Sequence, residues 1–113
     1  MSISCTETDP EVQQAHDDLM ELHDASMELM SPLKKAKKSL EKLENPTPEQ
    51  KATLAMVVQA DEDMWAWMHG WENPDDELSK EEKLDYYELW HQKMKLVDED
   101  MKAAIAKSAS YVK

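Results

Sequence analysis

Arginine and phenylalanine are absent from this 113-residue chain, and glycine and cysteine occur once each. A single glycine argues against tight hairpins and against glycine-built phosphate loops. β-Branched residues are few, so strands are not expected. The lone Cys5 excludes an intramolecular disulfide. No apolar run is long enough to span a bilayer. Without arginine forks, and with a formal net charge of −12 from 25 acidic and 13 basic residues, nucleic acid is not an expected partner. Anionic membrane surfaces are disfavoured for the same reason.

What the chain has instead is Ala, Leu, Met, Glu, Lys and Gln, the good helix formers, with nine methionines and four tryptophans. The charge is segregated. Residues 1–33 hold eight acids and no base, the run Lys34, Lys35, Lys37, Lys38 and Lys42 follows, and residues 52–79 again hold seven acids and no base.

Three start signals divide the chain. Asp9-Pro10 and Thr47-Pro48 each pair an N-cap with a proline at the first helical position, and Ser79 with Glu82 is a capping box. The spacing predicts a first helix from Pro10 to about Leu43 kinked at Pro32, where Ser31 is placed to cap the new segment. A second helix runs from Pro48 to about His69, ended by Gly70 as a left-handed cap, and a third runs from Ser79 to about Tyr111. Short connections force antiparallel neighbours, so the expected fold is an all-α, up-down-up three-helix bundle over residues 9–113, preceded by a flexible tail over 1–8.

At about 3.6 residues per turn, the first helix centres Val12, Leu19, His23 and Met30 on one face. The second centres Leu54, Val57, Val58, Trp65 and Met68, with Asp61 in the middle. The third centres Leu84, Tyr87, Trp90, Met94, Val97, Met101, Ile105 and Val112, with His91 on its flank. A carboxylate on an apolar face needs a partner, and matched heights make His91 the candidate, giving a buried pair Asp61–His91. The same heights put His23 near Met68 and Leu84. They also let residues 105–112 overhang the first turn, which suggests a homodimer.

The histidines sit in methionine-flanked repeats: His16 with Met20, His23 with Met27, and Met68 beside His69. Imidazole and thioether together suit Cu(I), so these six residues form a candidate copper site. The bland alternative is that Met fills an irregular core with His at its edge. Glu88-Leu-Trp-His91 is a lone E-x-x-H, where a di-iron bundle needs two and two further Glu. A haem has little room among the Trp and Met of so small a core. Nucleophilic catalysis lacks a nucleophile with a base and an oxyanion cradle. Trp65, Trp67, Trp71 and Trp90 suggest an aromatic cluster at the second connection, either core or an exposed binding patch.

Ser-Ile-Ser-Cys5 before an acidic stretch looks like the end of a lipoprotein signal, with Cys5 as the lipid-bearing residue; Ser2, where Leu is usual, departs from that pattern. Two segments, His16-Asp-Asp-Leu-Met20 with its Met-rich continuation to Pro32, and Ala60-Asp-Glu-Asp-Met-Trp-Ala-Trp-Met-His69, resemble a family of small bacterial lipoproteins often labelled "viral A-type inclusion protein". The resemblance implies a secreted, lipid-anchored helical domain, periplasmic or held at the membrane by its lipid, and carries no catalytic assignment. The expected function is therefore non-enzymatic: a cell-envelope lipoprotein domain acting through a protein partner, with no cofactor. Copper handling by the His/Met face is the alternative.

Overall fold

The computed structural model describes residues 9–112 and is all-helical. Four helical segments follow in order: α1 Pro10–Met27, α2 Met30–Glu41, α3 Pro48–Gly70 and α4 Lys80–Ser108, the last continued by a short 3-10 turn Ala109–Tyr111. α1 and α2 are two halves of one rod bent by 31°, so the architecture is the expected three-helix bundle. The molecule is a rod 69 Å long and 19 × 17 Å across.

The caps act as the local chemistry requires. The Asp9 carboxylate accepts from the Glu11 amide at 2.8 Å. Thr47 with Gln50 and Ser79 with Glu82 form reciprocal capping boxes, each satisfying two amides that no helical carbonyl reaches. The bend falls one turn before Pro32, at Glu28 and Leu29. Pro32 offers no amide to the Glu28 carbonyl, and the chain turns there through bonds that span three residues, Glu28 N–H to Ala25 O at 3.3 Å and Leu29 N–H to Ser26 O at 2.9 Å. Ser31 does not cap the new segment; the N-cap position is Leu29, with no side-chain hydrogen bond.

The core follows a seven-residue period. Val12, Leu19, Ser26, Leu33 and Leu40 are all buried, and Ala15, Leu22, Leu29, Ala36 and Leu43 accompany them. In α4 the matching rows are Tyr87, Met94, Met101 and Ser108, and Trp90, Val97, Ala104 and Tyr111. In α3 the row is Thr53, Val57, Ala60, Met64 and Trp67. A strict period of seven holds three helices in a shared seam, as in coiled coils.

Two faces differ from the 3.6-residue reading. The buried face of α3 lies about one residue, roughly 100°, from the expected one, so Trp65 is 47% exposed while Trp67 is 5% exposed. On the α1–α2 rod, Ser26 and Leu33 take the central places expected for His23 and Met30, both of which are half-buried. Gly70 is not a left-handed cap, since no described residue has positive φ. Its role is space: a Cβ there would lie 3.2 Å from the Trp90 ring.

α4 is the spine. It packs against both α1 and α3, and α2 packs against α3, whereas no Cα of α1 comes within 8 Å of one in α3. α1 and α4 run parallel and start together: Lys80 Nζ lies 2.7 Å from Glu11 Oε1 and 3.3 Å from Asp9 Oδ2. Residues 105–112 do not overhang. The end of α4 and its 3-10 turn pack against α2, and Ser108 is fully buried. No described helix is long and apolar enough to cross a membrane.

Candidate functional site

The bend decides what lies between α1 and α3. α2 packs on α3 and buries Leu33, Ala36 and Leu40, while α1 makes no such approach to α3, and aromatic side chains lie between them. Trp67 and Trp71 stack at 5.7 Å with planes 8° apart. Trp90 meets both edge-on at 5.6 Å. His23 stacks on the outer face of this group, 5.4 Å from Trp67, and His16 meets Tyr87 edge-on at 5.9 Å. The polar edges are bonded. The Trp67 indole donates to the Trp90 carbonyl at 3.2 Å, and the Tyr86 hydroxyl donates to the Glu72 carbonyl at 2.7 Å, which pins the second connection. Lys93 lies 4.5 Å over the Trp90 ring. Each such aromatic pair contributes about 0.5–1.5 kcal/mol beyond its buried area. Burial, with a smaller effect from Tyr86, pushes the Tyr87 hydroxyl above its usual value.

Three of the four tryptophans therefore form an internal aromatic wedge. Trp65 stands apart. It faces a groove of about 460 Å³ at the bend, lined by Met27, Met30, Leu33 and Val57 below and by Lys34, Lys37, Ser31 and Asp61 at the rim. Its other neighbour is His69, 6.1 Å between ring centres. The groove lies beside the bend, where the rotated face of α3 carries Trp65 outward.

The six candidate copper ligands lie in different surroundings. His16 borders the second connection at Asn73 and Pro74. His23 is taken up by Trp67, and His69 is exposed beside Trp65. Met27 lines the groove, while Met20 and Met68 pack against the core. The Nδ1 atoms of His16 and His23 lie 3.4 and 3.3 Å from Asp17 and Asp24, the next residue in each case. Among the described residues no three of His, Cys, Asp or Glu gather as a metal site. Cys5 lies outside the described residues.

The expected buried pair Asp61–His91 is not formed. Asp61 is half-buried on the groove rim beside Lys34 and Lys37, and His91 borders a separate hollow with Asp18 and Glu88. The one-residue rotation of α3 carries Asp61 out of the seam. The buried polar contact is instead Ser26 Oγ to Asp98 Oδ1 at 2.7 Å, with Lys102 Nζ 2.8 Å from Asp98 Oδ2. Burial pushes the Asp98 carboxyl up, but hydrogen bonds from Lys102 and Ser26, with the Lys102 charge, outweigh it and hold the group below its ordinary value. Ser26 sits seven residues from both Leu19 and Leu33, and that spacing was the signal available for it.

No protein-family profile, curated protein or solved structure matches this chain.

Proposed function

We propose that this chain is a non-catalytic interaction domain of a cell-envelope lipoprotein, anchored through Cys5 and binding a protein partner at the Trp65 groove. The observation that carries the reading is Trp65 itself. An indole 47% exposed on a methionine-lined groove is costly to leave against water, and aromatic and methionine side chains are enriched where proteins meet. The other three tryptophans are occupied in the wedge, so the exposure of this one is not a general excess of aromatic residues. Lys34 and Lys37 at the rim give the groove a local positive edge on an acidic chain, which favours a partner carrying acidic side chains. The lipid anchor rests on the Ser-Ile-Ser-Cys5 pattern and on the resemblance of the two Met-rich segments to small bacterial lipoproteins.

Two experiments test it. A photo-crosslinking amino acid at position 65, in cells expressing the full-length gene, should give one discrete adduct that is lost when Lys34→Glu and Lys37→Glu are added. No adduct, or one indifferent to those changes, overturns the groove. Metabolic labelling with a palmitate analogue should mark the parent and not Cys5→Ser; an unlabelled parent overturns the anchor.

A further inference from the structure

The outer face of the α1–α2 rod carries a stripe of exposed charge at helical 3–4 spacing: Asp17, Glu21, Asp24 and Glu28, then Ser31, then Lys35, Lys38 and Lys42. The buried positions keep their seven-residue phase across the bend, Ser26 to Leu33 and Leu29 to Ala36. The exposed stripe therefore keeps its phase too. One half is wholly acidic, the other wholly basic, and Ser31 at the midpoint also lines the Trp65 groove. Such a surface complements itself when turned end for end.

We infer that this stripe pairs with the same stripe of a second copy of this chain, packed antiparallel about a two-fold axis near Ser31. The contact is separate from the Trp65 groove, which opens on the side of α2 that meets α3. In that arrangement Glu28 faces Lys35 of the second copy, Asp24 faces Lys38 and Glu21 faces Lys42, each pair occurring twice. Ser31 of each copy lies at the centre, where like surfaces must coincide in a two-fold interface. Shifting the register by a heptad moves the axis to Glu28 or to Lys35 and sets acid against acid or base against base at the centre, so charge selects this alignment. The strip from Glu21 to Lys42 is about 30 Å long, and one helix face of about 10–12 Å offers roughly 300–400 Å² per copy. That is below the roughly 800 Å² per partner of a standard stable interface. The dimer is therefore weak, concentration-dependent and sensitive to salt, because exposed ion pairs contribute little each and are screened.

Sedimentation equilibrium on the purified chain tests this. At low salt and high concentration the weight-average mass should approach two chains, and at about 1 M salt, where the Debye length is about 3 Å, it should return toward one. Two charge-reversed variants sharpen the test, one carrying Glu21→Lys, Asp24→Lys and Glu28→Lys, the other Lys35→Glu, Lys38→Glu and Lys42→Glu. Each alone should remain monomeric, and an equimolar mixture should pair. All six positions are exposed, so circular dichroism should show both variants folded; if either is not, the salt response of the parent decides. A parent that stays monomeric at low salt, a reversed variant that pairs with itself as well as the parent does, or a mixture that does not pair overturns the inference. If the parent is monomeric while the position-65 adduct still forms in cells, self-pairing fails and the groove stands. If the adduct is absent as well, both fail.

Discussion

Replacing Ser26 with alanine tests the most buried polar contact of the bundle. Ser26 is fully buried and Asp98 is 7% exposed, and their hydrogen bond spans 2.7 Å between parallel helices. A hydrogen bond to a charged group contributes about 1.5–3 kcal/mol. Alanine's better helix propensity returns about 0.5 kcal/mol, and Lys102 remains to hold the other Asp98 oxygen. The expected net loss is about 1–2.5 kcal/mol, which lowers the melting temperature by about 5–10 °C for a chain of this size. The pH dependence has a definite sign. The folded Asp98 carboxyl is held below its ordinary value, 3.8. The stabilisation from its ionised form is thus fully present above that value and is lost as pH falls through the lower folded one. Urea unfolding of parent and Ser26→Ala at neutral pH, then at steps into the acid range, should show a penalty that is largest at neutral pH and shrinks below the ordinary carboxylate value. A penalty under about 0.5 kcal/mol at neutral pH, the range of a surface change, or one that grows on acidification, refutes the reasoning.

Other outcomes follow from the same packing. Met64 is fully buried in the α3 row, so Met64→Ala should cost about 2–5 kcal/mol in chemical denaturation, whereas Met56→Ala, at a position 40% exposed, should cost far less. Thr47→Ala and Ser79→Ala each remove a capping box and should lose about 1 kcal/mol, additively in the double variant because the two sites are at different helix ends. The different surroundings of His16, His23 and His69 predict that a Cu(I) competition titration gives the same apparent affinity for the parent and for the triple alanine variant. Tighter binding by the parent would support the copper reading.

Local chemistry was legible and side-chain facing was not. Asp9, Thr47 and Ser79 cap where they were expected to, because a cap involves only the next three residues. The bend near Pro32 was legible for the same reason, since a missing amide acts within one turn. The face of α3 was misread because Leu54, Ala55, Met56, Val57 and Val58 are apolar all round, and a 3.6-residue template finds no unique face in such a run. Over long helices the difference between 3.6 and 3.5 residues per turn accumulates to about 20° per heptad. That drift is enough to bring Ser26 inward, whereas Trp65 and Asp61 are carried outward by the one-residue rotation of the whole α3 face. Asp98 escaped notice because its partner lies 72 residues away, and nothing in its own helix marks it among the acids around it. Gly70 was assigned a backbone role, whereas its lack of a side chain makes room for Trp90, a contact visible only once α3 and α4 are aligned.

The account turns on Trp65 being presented while Trp67, Trp71 and Trp90 are held in the wedge, and acrylamide quenching of tryptophan emission measures that difference directly. In the parent, one accessible component should be quenched readily and a larger one poorly. Trp65→Phe should remove the accessible component and leave the unfolding free energy within about 0.5 kcal/mol of the parent, as for a surface change. A quenching curve unchanged by Trp65→Phe would contradict the account and return Trp65 to the core.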